Sequence, residues 1–160
     1  MTKRSQIGRA NAHLSENRWS KRHVFVSTLL LSLLTLLASA CSFGKDKSIA
    51  EAGVAQFHRQ FNASQFREIY IESDERMKKA ATEIEFLTLL QAVRRKLGSV
   101  QQSTQAGWRV NVTTNGTTAT LNYRTDFNEG KGTESFVFYI SADKATLAGY
   151  HIDSPLLITK

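Results

Sequence analysis

Few residues in this 160-residue chain have the type and spacing for chemistry. His151 and Asp153 stand two apart. In a strand both side chains would leave the same face, where they could form an acid/base pair or half of a metal site. No third ligand, nucleophile or glycine-rich phosphate loop lies nearby in sequence, so the spacing equally describes two polar residues on a solvated face. Tyr123 and Asp126, a tyrosine and an acid, stand three apart and would fall on opposite faces. His58 borders an apolar helical stripe. None of these makes a catalytic set, so the chain reads as non-enzymatic, with no metal site and no cofactor. Cys41 is the only cysteine, which excludes an intramolecular disulfide and leaves stability to packing.

The chemistry that the sequence does favour is at Cys41 itself. A basic stretch ending in SKRH precedes an uncharged apolar run from Val24 to Ala40, and the cysteine follows at once. This is the order of a signal peptide. Its 17 residues would make roughly 25 Å of helix, short of a hydrocarbon core of about 30 Å, which favours a removable leader over a permanent span. Leu37 to Cys41 resembles the bacterial lipobox, in which the cysteine thiol receives diacylglycerol before the chain is cut between Ala40 and Cys41. That resemblance implies a lipoprotein: residues 1–40 as signal peptide, Cys41 as acylated residue, and a tether over 41–47. Ala38 and Ala40 also suit ordinary cleavage without lipidation, and an uncleaved inner-membrane anchor is the remaining alternative. Ser42 stands where aspartate favours inner-membrane retention, so the resemblance implies sorting to the outer membrane.

Net charge supports the same address. The chain is formally +7, but residues 1–40 hold six Lys/Arg against one Glu, while residues 41–160 hold fifteen against thirteen acids. The basic excess belongs to the leader, so it does not point to nucleic acid as a partner. Acyl chains at Cys41 would suffice to hold the protein on a lipid bilayer.

Residues 48–160 read as one domain. Ala50, Val54, Phe57 and Phe61 line one face of a helix that NAS (62–64) should end. FREIYI (66–71) predicts a short amphipathic piece, and the following polar stretch a surface turn or short helix. Thr82 to Glu85 is a capping box opening a helix whose stripe is Phe86, Leu90, Val93 and Leu97, with Arg94, Arg95 and Lys96 in the last turn and Gly98 as its stop. Beyond Gly98 the period changes to two. Trp108, Val110 and Val112 run into an Asn115-Gly116 hairpin, Ala119 to Thr125 alternate after it, and the turns at 128–132 and 142–144 introduce two more strands. The expected class is α+β: two main helices and a short one on a four-stranded antiparallel meander.

YRTDF (123–127), TES (133–135) and GYHI (149–152), following helices of this order, resemble a bacterial family of small exported domains of unknown function. Those domains look like the cystatin-like or nuclear transport factor 2-like cone fold. The resemblance covers about residues 48–153 and implies no catalytic residue, because no activity is established for the family. Such folds host enzymes, ligand pockets and scaffolds alike. A binding or assembly accessory module in the envelope is the leading expectation, with an unknown envelope protein or small ligand as its partner. On that expectation Phe57, Phe61 and Trp108 fill an apolar pocket. A pocket with three converging titratable groups, such as His58 with His151 or Asp126, would instead mark an enzyme. The sequons at Asn62, Asn111 and Asn115 read as chance in a bacterial lipoprotein.

Overall fold

A computed structural model describes residues 44–158. The leader, Ala40 and Cys41 lie outside the described residues. The first described helix, α1, covers 44–62, so residues 44–47, read above as tether, are already helical. Lys47 pairs with Glu51 one turn on, and Ser48 Oγ donates to the Lys45 carbonyl (2.9 Å), which gives this turn its own local support. Ala50, Val54, Phe57 and Phe61 are all buried, as their spacing requires. Gly53 lets α1 lie close on the sheet: a Cβ there would stand 2.7 Å from the Phe138 ring. The helix ends where Ser64 turns left-handed (φ 59°).

Three helices follow, α2 (Phe66–Ile71), α3 (Glu75–Ala80) and α4 (Glu83–Leu97). The polar stretch before α4 is thus a short helix, opened by Asp74 accepting from the Arg76 amide. In α4 the capping box is complete, with Thr82 N–H donating to Glu85 Oε2 (2.8 Å) and Glu85 N–H to Thr82 Oγ1 (3.3 Å). Phe86, Leu90, Val93 and Leu97 form its buried stripe, and Gly98 ends it at φ 80°.

The sheet is a meander in the order β1 (Val100–Thr113), β2 (Gly116–Phe127), β3 (Lys131–Ser141), β4 (Lys144–Asp153), all antiparallel, and a single helical turn, α5 (Pro155–Ile158), closes the described chain. The α+β class holds, with α3 and α5 added to the three expected helices. One face packs under α1 and α4 through Ala119, Leu121, Tyr123, Phe127, Phe136, Phe138 and Leu147. The other carries Thr118, Thr120, Asn122 and Arg124.

Two details depart from expectation. The first hairpin turns at Thr114-Asn115, not Asn115-Gly116; Gly116 instead opens β2 opposite Thr113 with φ 115°. A positive φ suits glycine there, and the Tyr139 hydroxyl packs where a Cβ would go. The strand before it reaches back to Val100, through register shifts at 100–102 and 105–107 that its polar sequence does not announce.

The two edges of the sheet differ. Along β4, Asp74 N–H donates to the Leu147 carbonyl (2.9 Å) and Thr146 Oγ1 to Asp74 Oδ2 (3.1 Å), so the N-cap of α3 occupies that edge around Leu147. On β1, the Asn62 amide exchanges two hydrogen bonds with the Val100 backbone (2.8 and 2.9 Å). Beyond that point no strand pairs with the outer side of β1 among the described residues.

Candidate functional site

Between α1 and the sheet lies a buried polar cluster. It is built by strand parity: Glu134 shares its face of β3 with Phe136, Phe138 and Ile140, Thr125 shares its face of β2 with Leu121 and Tyr123, and Tyr150 lies opposite Phe136. From α1, His58 follows Phe57 into the same space. Glu134 is 1% exposed and His58 8%. The Glu134 carboxyl accepts from the Thr125 hydroxyl and meets His58 Nε2 (2.9 Å) at Oε2, and accepts from Tyr150 Oη (2.8 Å) at Oε1.

In the tautomer protonated at Nε2, His58 Nδ1 is an acceptor facing Ser103 Oγ at 3.5 Å. Hydroxyl, imidazole and carboxyl in that order form the chain by which a serine is activated. The long Ser103 contact and the near-complete burial of Glu134 make the cluster first of all a satisfied polar joint between helix and sheet.

Burial and the nearby Glu134 carboxyl push the Tyr150 hydroxyl well above the usual tyrosine range. Tyr123 is raised too, by burial first and then by Glu51. A group with a raised folded pKa contributes its stability fully below its unfolded value of about 10, and that stability is lost as pH climbs beyond it. Tyr150→Phe should therefore flatten the loss of stability above pH about 10, while lowering stability at neutral pH by about 1–2 kcal/mol through the lost bond to Glu134. Urea unfolding of both forms across this alkaline range checks both effects.

A second feature is an open groove of about 410 Å³ beside α1. Phe57, Ile69, Phe138 and Leu147 form its floor, over Gly53. On its rim Glu72 accepts from Gln56 (3.0 Å) and Gln60 (2.9 Å). His58, Glu134 and Tyr150 do not line it. Compared with known proteins, the chain matches no family model and no curated sequence.

The residues singled out from the sequence are scattered. His151 and Asp153 share a face as expected, but both are exposed on the outer side of β4, opposite Ser135 and Thr133. Neither meets His58. Asp126 also points outward and pairs with Lys131 (3.0 Å), while Tyr123 is buried on the inner side. Three titratable groups do converge, but they are His58, Glu134 and Tyr150. Glu134 was missed because nothing local marks it; its parity with Phe136 and Phe138 was the available signal.

Phe57 and Phe61 are core residues, whereas Trp108 is 49% exposed. It faces the correct side of β1, opposite Leu121, but an edge strand carries it past the helix cover, and Lys47 stands over its ring (5.6 Å). Of the basic triplet in α4, Arg94 lies over the Phe61 ring (6.0 Å) and Lys96 donates to the Leu157 carbonyl (2.9 Å), leaving Arg95 exposed. Among the described residues no group of three His, Cys, Asp or Glu stands where it could hold a metal ion, and no helix is long and apolar enough to cross a membrane.

Proposed function

We propose that this is a lipid-anchored domain of the bacterial envelope, sorted to the outer membrane, that acts as a binding or assembly accessory module. The anchor rests on the leader and Cys41. The module reading rests on the groove, whose apolar floor and amide-and-carboxylate rim suit a peptide segment or a small amphipathic ligand. The polar cluster that competes as an active site does not line the groove.

Two measurements test the two halves. Mass spectrometry of the membrane-extracted protein should find an acylated residue 41 in wild type and not in Cys41→Ser; an intact leader in both forms would replace the anchor with an uncleaved span. Ala52→Arg then fills the groove from an exposed helical position. It should leave the melting curve unchanged and abolish the cross-link to a partner that the proposal expects in wild-type envelopes. Cross-linking that survives the arginine would remove the groove from the function.

The second reading, an enzyme, rests on Ser103, His58 and Glu134 standing in series. Its test is covalent labelling by a serine-directed fluorophosphonate. Modification at Ser103 that is lost in His58→Gln would favour hydrolysis over binding.

A further inference from the structure

We propose that the hairpin end of the domain docks onto the bilayer interface through Trp108 and Val112, with Lys47 beside them. The inference rests on attachment at Cys41. The first described turn of α1 lies at the sheet end that carries the turns at 114–115 and 142–143. Lys45 Nζ is 2.8 Å from Asp143 in the second turn, and Lys47 Nζ stands over Trp108 on the strand leading into the first.

Only residues 42 and 43 separate Cys41 from the described helix at Gly44. Three residue steps reach at most about 10 Å, so an acylated Cys41 holds this end within about a headgroup layer of the hydrocarbon, whatever path those residues take. Two exposed apolar side chains on one strand face are at this same end. Trp108 is 49% exposed and Val112 58%, two strand positions of one parity that α1 leaves uncovered.

An indole is at home at the membrane interface, where its ring meets acyl chains and its N–H meets water. A neighbouring lysine can lay its stem on apolar surface and lift its ammonium to the phosphates. Arg95, in contrast, belongs to the last turn of α4 near Val100, where α1 ends. That is some 25 Å of helix away from Lys47, too far to share the same surface.

Trp108 is the only tryptophan after Cys41, since the other is Trp19, so its emission reports the docking directly. Among the described residues the buried core is drawn from residues 50–152, so a chain of residues 41–160 carries that core. Its single thiol allows chemical coupling to a maleimide-headgroup lipid in vesicles of phosphatidylcholine, with or without phosphatidylglycerol. The expected result is a blue shift of Trp108 on coupling and quenching by a shallow lipid-borne doxyl group, with Val112→Asp losing most of the quenching. If quenching requires phosphatidylglycerol and Lys47→Gln abolishes it, the headgroup phosphates contribute through Lys47.

Unchanged emission on coupling overturns the proposal. So does a blue shift that grows with protein density while the lipid-borne quencher has no effect, because a second copy of the chain would then cover Trp108. Chemical coupling makes either result independent of whether cells acylate Cys41, which the mass spectrum decides separately.

Discussion

Glu134→Ala is expected to lower the stability of the domain by about 3–5 kcal/mol, moving the urea midpoint sharply downward. The substitution strands three partners at once. Thr125 is fully buried, His58 loses its carboxyl partner, and Tyr150 loses its acceptor. Glu134→Gln should recover part of the loss, since it fills the space and keeps one acceptor but presents an amide donor to groups that already donate. The double variant His58→Leu with Glu134→Leu should recover more, because apolar replacement of both partners leaves less unpaired polarity. A site maintained for catalysis commonly behaves in the opposite way, since removing its polar groups costs little stability or adds some. Glu134→Ala with an unfolding free energy within about 0.5 kcal/mol of wild type would therefore strike out the structural joint and strengthen the case for Ser103 chemistry.

Phe136→Ala should cost a similar amount, about 3–5 kcal/mol, or a fall in melting temperature of roughly 15–25 °C. Its ring is fully buried at the centre of the aromatic core, with centroids 5.1 Å from Phe57, 5.2 Å from Tyr150, 5.6 Å from His58 and 6.0 Å from Tyr123. Those neighbours come from α1, β2 and β4, so a cavity here loosens three elements together. Phe136→Leu should retain a large part of the stability, and the slope of unfolding against urea should stay constant in both variants. A loss below about 1 kcal/mol for the alanine form would mean that the helix and sheet collapse to refill the space.

How far the sequence could be read follows the range of the forces involved. The helix over 83–97 was legible at both ends because Thr82, Glu85 and Gly98 act within a turn of themselves. The strands beyond Leu121 were legible because alternation is local as well. The polar joint was not, since Glu134 and His58 are 76 residues apart and a glutamate within an alternating strand has no partner in sight. The position of Trp108 failed for a related reason: parity assigned its face correctly, but whether that face is covered depends on how far α1 reaches across the sheet. The polar start of β1 was invisible because a strand with bulges and few apolar residues has no period to detect. Residues 142 and 143 carry left-handed backbone at an alanine and an aspartate (φ 47° and 64°), so the turn itself was readable from ADK but its hand was not.

If Cys41 anchors the domain as proposed, the unequal edges of the sheet bear on its behaviour at a crowded surface. Molecules confined to a membrane meet far more often than the same number in free volume, and an unpaired strand edge is a template for further pairing. Because the N-cap of α3 interrupts the β4 edge at Leu147, strand addition through β1 is the route by which two copies, or one copy and a partner peptide, can join. Growth into a ribbon would need two uninterrupted sides, and among the described residues the β4 side is interrupted at Leu147.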